Sequence, residues 1–284
     1  MTTQAEAAVE ILRSRGIVEP VELGLSVGPQ IGALAENLEN AVGISYSELP
    51  GFPAIASSAG EGRLIVGTLE GTRIACLQGR SHFYESGDPT LMATPLETLA
   101  MLGVSNLLIA STAGSVNADF YPGHIVLITD HINFNGLNPL IGLASEGGFV
   151  SLTEAYDKRL LRRLKQAAAG AGVTVHEGVF MWFSGPSFET PAEVKMARLL
   201  GADVIGMSLV PEVILARRLA LRIAAVAVIT SFGAGFSGGN PTHTETRQQA
   251  LSGLISLRRL TRAFVKTKDE EWSVRLRRDE PRQS

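Results

Sequence analysis

The feature that most restricts this chain is a set of short runs with no polar face at all, such as "RIAAVAVITSF" and "NLLIAST", each set between longer amphipathic segments. A strand that is apolar on both faces has to be covered on both sides, and segments of helical period supply the cover. The pattern therefore specifies an α/β chain with strands sandwiched between helices. Expected strands are "VELGLSVG", "RLIVGTL", "TRIACLQG", "NLLIAST", "HIVLITDHINF", "TVHEGVFMWFSG", "ADVIGMS" and "RIAAVAVITSF". Expected helices are the N-terminal segment, "PLETLAML", "SLTEAYDKRLLRRLKQAAAGAG", "TPAEVKMARLLG", "VPEVILARRLA" and "THTETRQQALSGLISLRRLTRAFV". "GTLEGTRIAC" suggests a hairpin, so the sheet is expected to be mixed.

No repeat, low-complexity linker or Pro/Ser-rich break divides the chain, so residues 1–268 are expected to form one domain and 269–284 a charged C-terminal tail. The 25 basic and 28 acidic residues leave a net charge of −3, spread along the chain. That balance gives no electrostatic footprint for nucleic acid or an anionic membrane, and points to a small partner. Cys76 is the only cysteine, which excludes an internal disulfide or a multi-cysteine metal site and suits a reducing compartment. "MTTQAEAAVEILRSRG" has neither a basic start nor a continuous apolar stretch, and no run reaches the ~18 apolar residues of a membrane span. The expectation is a cytoplasmic protein without metal or cofactor.

Ligands of open α/β sheets bind beyond the carboxyl ends of strands, which makes the polar residues there the candidates. They are Arg80, His82 and Tyr84 in "QGRSHFYE", Ser111 to Gly114 in "ASTAGS", Phe188 and Glu189 in "GPSFET", Met207 and Ser208 in "GMSLVPE", and Thr230 and Ser231 in "VITSF". Singly, each has an ordinary reading. Glu189 suits the first turn of a helix, Arg80 a surface ion pair, His82 a satisfied core histidine and Ser208 an N-cap. Together, the strand exits deliver a guanidinium, an imidazole, small residues, a carboxylate and a hydroxyl, a set suited to an anion and a planar hydrogen-bonding ligand.

"GPSFETPAE", "GADVIGMSLVPEVILAR", "QGRSHFYE" and "TDHINFNGLNPLIG" resemble the signature blocks of the trimeric purine nucleoside phosphorylases. The resemblance runs in order from about Val21 to the last helix. It implies a single α/β domain around a distorted mixed β-barrel, a homotrimer, and cleavage of 6-oxopurine nucleosides with inorganic phosphate as co-substrate. It assigns phosphate to Arg80, His82, Ala113 and Ser208. Tyr84, Met207 and His243 go to the ribose, and Phe188, Glu189, Ile205 and Ser231 to the base. Glu189, Ser231 and His243 would carry catalysis. A carboxylate at the base edge accepts from the N1 proton of a 6-oxopurine, a proton that adenine lacks, so Glu189 would set specificity.

Three positions depart from the family pattern. In "GPQIG", Gly28 to Gly32, Pro29 replaces a phosphate-binding serine and brings neither hydroxyl nor backbone N–H. Ser26, three residues upstream, is the candidate substitute. In "AGEGRL", Gly60 replaces a histidine, and Ser231 stands where the family has asparagine. "LASEGGFVS" is shortened, which leaves Phe149 as the candidate for the ring a neighbouring subunit supplies. Two further readings therefore stand beside phosphorolysis: a hydrolytic nucleosidase, and a noncatalytic nucleoside-binding homologue.

Overall fold

The computed structural model describes residues 2–28, 38–55, 61–142, 149–269 and 272. Among them the order is α1 (Thr3–Ser14), β1 (Leu23–Val27), β2 (Glu39–Ser45), β3 (Arg63–Leu69), β4 (Thr72–Gln78), α2 (Phe83–Ser86), α3 (Ala93–Met101), β5 (Asn106–Ser115), β6 (Ile125–Asn133), α4 (Lys158–Ala171), β7 (Val175–Trp182), α5 (Pro191–Leu199), β8 (Val204–Gly206), α6 (Val210–Arg218), β9 (Arg222–Phe232) and α7 (His243–Val265). Pro29, Gly60, residues 143–148 and most of 269–284 lie outside the described residues, as does the side chain of His243.

Strands pair in the order β2-β3-β4-β1-β5-β8-β7-β6-β9, and β9 pairs again with β5. The segment from β5 to β9 thus closes into a mixed barrel, and β1 to β4 continue from β5 as a wing. Closure bends the strands at irregularities, between Ala113 and Gly114 where β5 meets β9 and between Ile128 and Asp130 where β6 meets β7. The expected hairpin forms as β3 and β4, antiparallel from Arg63↔Gln78 to Leu69↔Thr72. The barrel strands are buried along nearly all of β9 and most of β5, with α7 lying on β9 and against α4. α7 reaches β9 closely because residue 253 is glycine: a Cβ there would collide with Val228.

Several boundaries differ from expectation for local reasons. β2 carries no alternating apolar signal, since Glu39 to Val42 are all exposed on an edge strand that pairs only with β3. The helix expected from Ser151 begins at Lys158, because the Asp157 side chain accepts from the N–H groups of Arg159 and Leu160 and sets the N-cap there. The preceding turn instead buries Tyr156. β5 runs on to Ser115, past the expected end at Thr112, because β9 pairs beside it to Phe232. Within 269–284, Trp272 is buried against Phe264, and its carbonyl accepts from Asn106 Nδ2 at 2.5 Å and Ser105 Oγ at 3.2 Å. The packed unit thus reaches into the segment expected to be tail. Burial pushes the Cys76 thiol up to about 12, so it is an inert core group.

Candidate active site

The second half of β5 is the spine on which the candidate residues assemble. Arg80 Nη2 donates to the Ala110 carbonyl at 3.2 Å. The Ser111 and Ser208 hydroxyls lie 2.5 Å apart, and Thr230 Oγ1 donates to the Ala113 carbonyl at 3.3 Å. A Cβ on Gly114 would lie 3.4 Å from Ile205 Cγ1 and 3.7 Å from Ser231 Oγ, so these two flank the same glycine. "ASTAGS", expected to be strand only to Thr112, is strand throughout, and Ala113 sits in its buried part.

Arg80 follows β4 through Gly79, whose φ of +121 is open to glycine alone at little cost. It is not a surface ion pair: it is 3% exposed and its Nε meets a carboxylate oxygen of Glu212, itself 2% exposed. Ser26 is no substitute for the missing serine, since its buried hydroxyl donates to Glu212 Oε1 at 2.5 Å. Nor is Ser208 the N-cap of α6; that position is Leu209. His82 precedes α2 and stacks on Tyr84 with ring centres 4.9 Å apart. Its Nδ1 lies 3.0 Å from Glu85 Oε1, which also accepts from the His82 backbone N–H at 2.8 Å. Burial pushes the Glu85 carboxyl up, but the hydrogen bonds and charge of His82, with Ser81, outweigh it and hold the group below its usual range. A cavity is lined by Arg80, His82, Met207, Ser208 and Glu212. The Arg80 guanidinium and the His82 imidazole on it therefore each face a carboxylate.

The opposite end is built by the exit of β7. Asn135 grips it with both ends of its amide, Nδ2 donating to the Trp182 carbonyl at 3.2 Å and Oδ1 accepting from Ser184 N at 3.1 Å. Gly185, at φ +68, then passes directly under Met207 and Tyr84. Thr190 caps α5 in a capping box with Glu193, so Glu189 is one residue before the cap. Glu189 is 9% exposed, and its Oε1 has no hydrogen-bond partner among the described residues. Burial pushes its carboxyl up, against its own backbone N–H, and Glu193 adds to the rise. Phe188 beside it is 39% exposed. The chain after β9 packs back on α5, where a Cβ on Gly235 would lie 2.9 Å from Pro191 Cβ. His243 opens α7.

Gly185→Ala is expected to raise the KM for the organic substrate about tenfold. A Cβ at 185 would meet Met207 and come within 3.1 Å of Tyr84, and a non-glycine residue at this φ is strained by roughly 1–2 kcal/mol. Steady-state kinetics check it; an unchanged KM would mean that Met207 and Tyr84 do not form the floor.

Glu212 and Asn135 were missed as site residues. Both lie inside the quoted motifs, but their partners are far away in sequence, and nothing in a helix reading of "VPEVILARR" signals a buried counter-ion. Chemically the arrangement offers a guanidinium and an imidazole, each beside a carboxylate, the apolar side chain of Met207, and a buried carboxylate oxygen of Glu189 with no hydrogen-bond partner among the described residues.

A sequence model of the phosphorylase superfamily matches residues 28–266. Purine nucleoside phosphorylase 1 of Geobacillus stearothermophilus is 37% identical over 267 residues, 93% of this chain and 97% of the relative. The purine nucleoside phosphorylase of Mus musculus is 36% identical over 218 residues, 74% of this chain and 75% of the relative. The crystal structure of a Schistosoma purine nucleoside phosphorylase with hypoxanthine has a TM-score of 0.87 at 30% identity, covering 95% of this chain and 100% of that one. That of the Schistosoma mansoni enzyme with inosine scores 0.86 at 31% identity, covering 94% and 96%.

Proposed function

Because the chain belongs to the phosphorylase superfamily and, within it, to the purine nucleoside phosphorylases, we propose that it cleaves inosine- and guanosine-like nucleosides with inorganic phosphate, giving free base and ribose 1-phosphate. The observation that carries the base preference is Glu189 Oε1, a buried acceptor left without a donor. A 6-oxopurine supplies that donor at N1, and guanine a second at its 2-amino group. A ligand without them leaves the desolvated carboxylate unpaired, which is a strong ground for rejection.

In the proposed reaction a phosphate oxygen attacks C1′ as the C1′–N9 bond breaks, and the bonding pair leaves with the purine. The sugar passes through an oxocarbenium-like state, as in glycosyl transfer generally. Phosphate near Arg80, His82 and Ser208 flanks that positive centre, with Met207 and Tyr84 beneath and beside the sugar and His243 toward its 5′ end. Negative charge gathering on the leaving base is met by the hydroxyl donor of Ser231, while the Glu189 carboxylate holds the base by its N1–H edge. No residue of the chain forms a covalent bond, and neither metal nor cofactor is required in this scheme. The same proposal includes a cytoplasmic homotrimer, in which Phe149 reaches a neighbour's sugar site. Its complete exposure supports that role, and a stable monomer in sedimentation would remove it.

Turnover of inosine against adenosine across pH tests this reading. Since the carboxyl of Glu189 is raised, its accepting, ionised form is lost as pH falls through a value above the ordinary carboxylate range. The kcat/KM for inosine is expected to decline there, and Glu189→Gln to abolish that limb. Equal use of adenosine and inosine would overturn the base assignment. One observation favours hydrolysis as a second reading: the charge of Arg80 is already met by Glu212.

A further inference from the structure

We propose that Glu212 is the positioning residue of the phosphate cleft, fixing Arg80 so that the guanidinium offers Nη1 beside Gly28. The inference rests on the phosphorolytic reading above. Glu212 meets Arg80 at Nε, and Nη2 donates to the carbonyls of Ser26 at 3.4 Å and Ala110 at 3.2 Å. Among the described residues that leaves Nη1, which stands 3.5 Å from where a Cβ on Gly28 would lie. The fork that guanidinium groups usually present to phosphate is thus turned inward, and a single nitrogen faces the ligand.

The carboxylate is itself held firmly. Leu209 has φ 73 and ψ −55, with Val210 N donating to the Ser208 carbonyl at 2.9 Å, a strained γ-turn. The turn starts α6 with Pro211 and brings Glu212 into the first helical turn, where the helix dipole favours a negative charge. Ser26 Oγ donates to Oε1. From the other side, Tyr46 Oη donates to the Gly79 carbonyl at 2.9 Å and fixes the backbone before Arg80. A strained turn, a buried hydroxyl and a tyrosine thus converge on the orientation of one guanidinium, and strain of this kind is kept where an orientation matters.

Glu212 acts on phosphate in two opposed ways, since it orders Arg80 and also cancels its charge. Replacement by glutamine separates them, because an amide of the same shape still accepts from Ser26 Oγ and packs against Nε while the charge is gone. The experiment measures KM for inorganic phosphate and for inosine in wild type, Glu212→Ala and Glu212→Gln. Glu212→Ala is expected to raise the phosphate KM about tenfold or more with the inosine KM within about twofold, and Glu212→Gln to recover most of the loss. Equal damage from both variants, an unchanged phosphate KM in Glu212→Ala, or a joint rise of the two KM values would overturn the proposal. If Glu212→Ala does not fold, Ser26→Ala removes the donor to Oε1. It should raise the phosphate KM about threefold, and no rise would count against the proposal. Wild-type turnover that ignores phosphate would instead overturn the phosphorolytic reading, and the proposal with it.

Discussion

Glu189→Gln is expected to lower kcat/KM for inosine by about 1.5–3 kcal/mol, roughly 10–150-fold, the scale of a hydrogen bond to a buried charge. It is expected to do so without loss of stability. In the free protein the Glu189 carboxylate is buried, its pKa is raised and one oxygen has no partner among the described residues. An acid whose folded pKa is raised costs stability once ionised, at pH above that value, so a neutral amide of the same shape relieves the cost at neutral pH. Thermal midpoint and activity should therefore move in opposite directions or the midpoint should hold, as at sites where function is kept at the expense of stability. A midpoint that falls in step with activity would make Glu189 a structural acceptor.

The second large effect is Arg80→Ala, expected to lose both phosphate-dependent turnover and stability. Removing the guanidinium leaves Glu212, 2% exposed, as an uncompensated carboxylate with the Ser26 hydroxyl as its donor. Breaking a buried pair in this way costs about 3–5 kcal/mol, so the thermal midpoint should fall by on the order of 10 °C in a chain of this size. The phosphate KM should rise by roughly 10–150-fold for the one charge-assisted contact removed. Arg80→Met combined with Glu212→Leu discriminates the two losses: the apolar pair should recover much of the midpoint and none of the phosphate affinity. Recovery of activity by the double variant would show that Arg80 is not a phosphate ligand.

What could be read in advance followed from local chemistry. Between Arg222 and Thr230 "RIAAVAVITSF" has nothing polar to show to water, so its place in the barrel wall was legible, and "GTLEGTRIAC" announced its own hairpin. β2 was not, because an exposed edge strand needs no apolar alternation, and its pairing with β3 is decided in three dimensions. In the site, Glu189, Met207 and Arg80 stood out because motifs bracket them. The pairing of Arg80 with Glu212 did not, since it joins the end of β4 to the first turn of α6, and a glutamate there reads as an ordinary helix-dipole partner. The same gap explains Ser26, whose hydroxyl donates to Glu212 in the first turn of α6.

Phosphorolysis makes phosphate a reactant, and the products of inosine cleavage with and without phosphate test that most directly. Hypoxanthine and ribose 1-phosphate should form in equal amounts when phosphate is present, with turnover stopping when it is omitted. Free ribose released at an unchanged rate in phosphate-free buffer would contradict the account and establish hydrolysis by water.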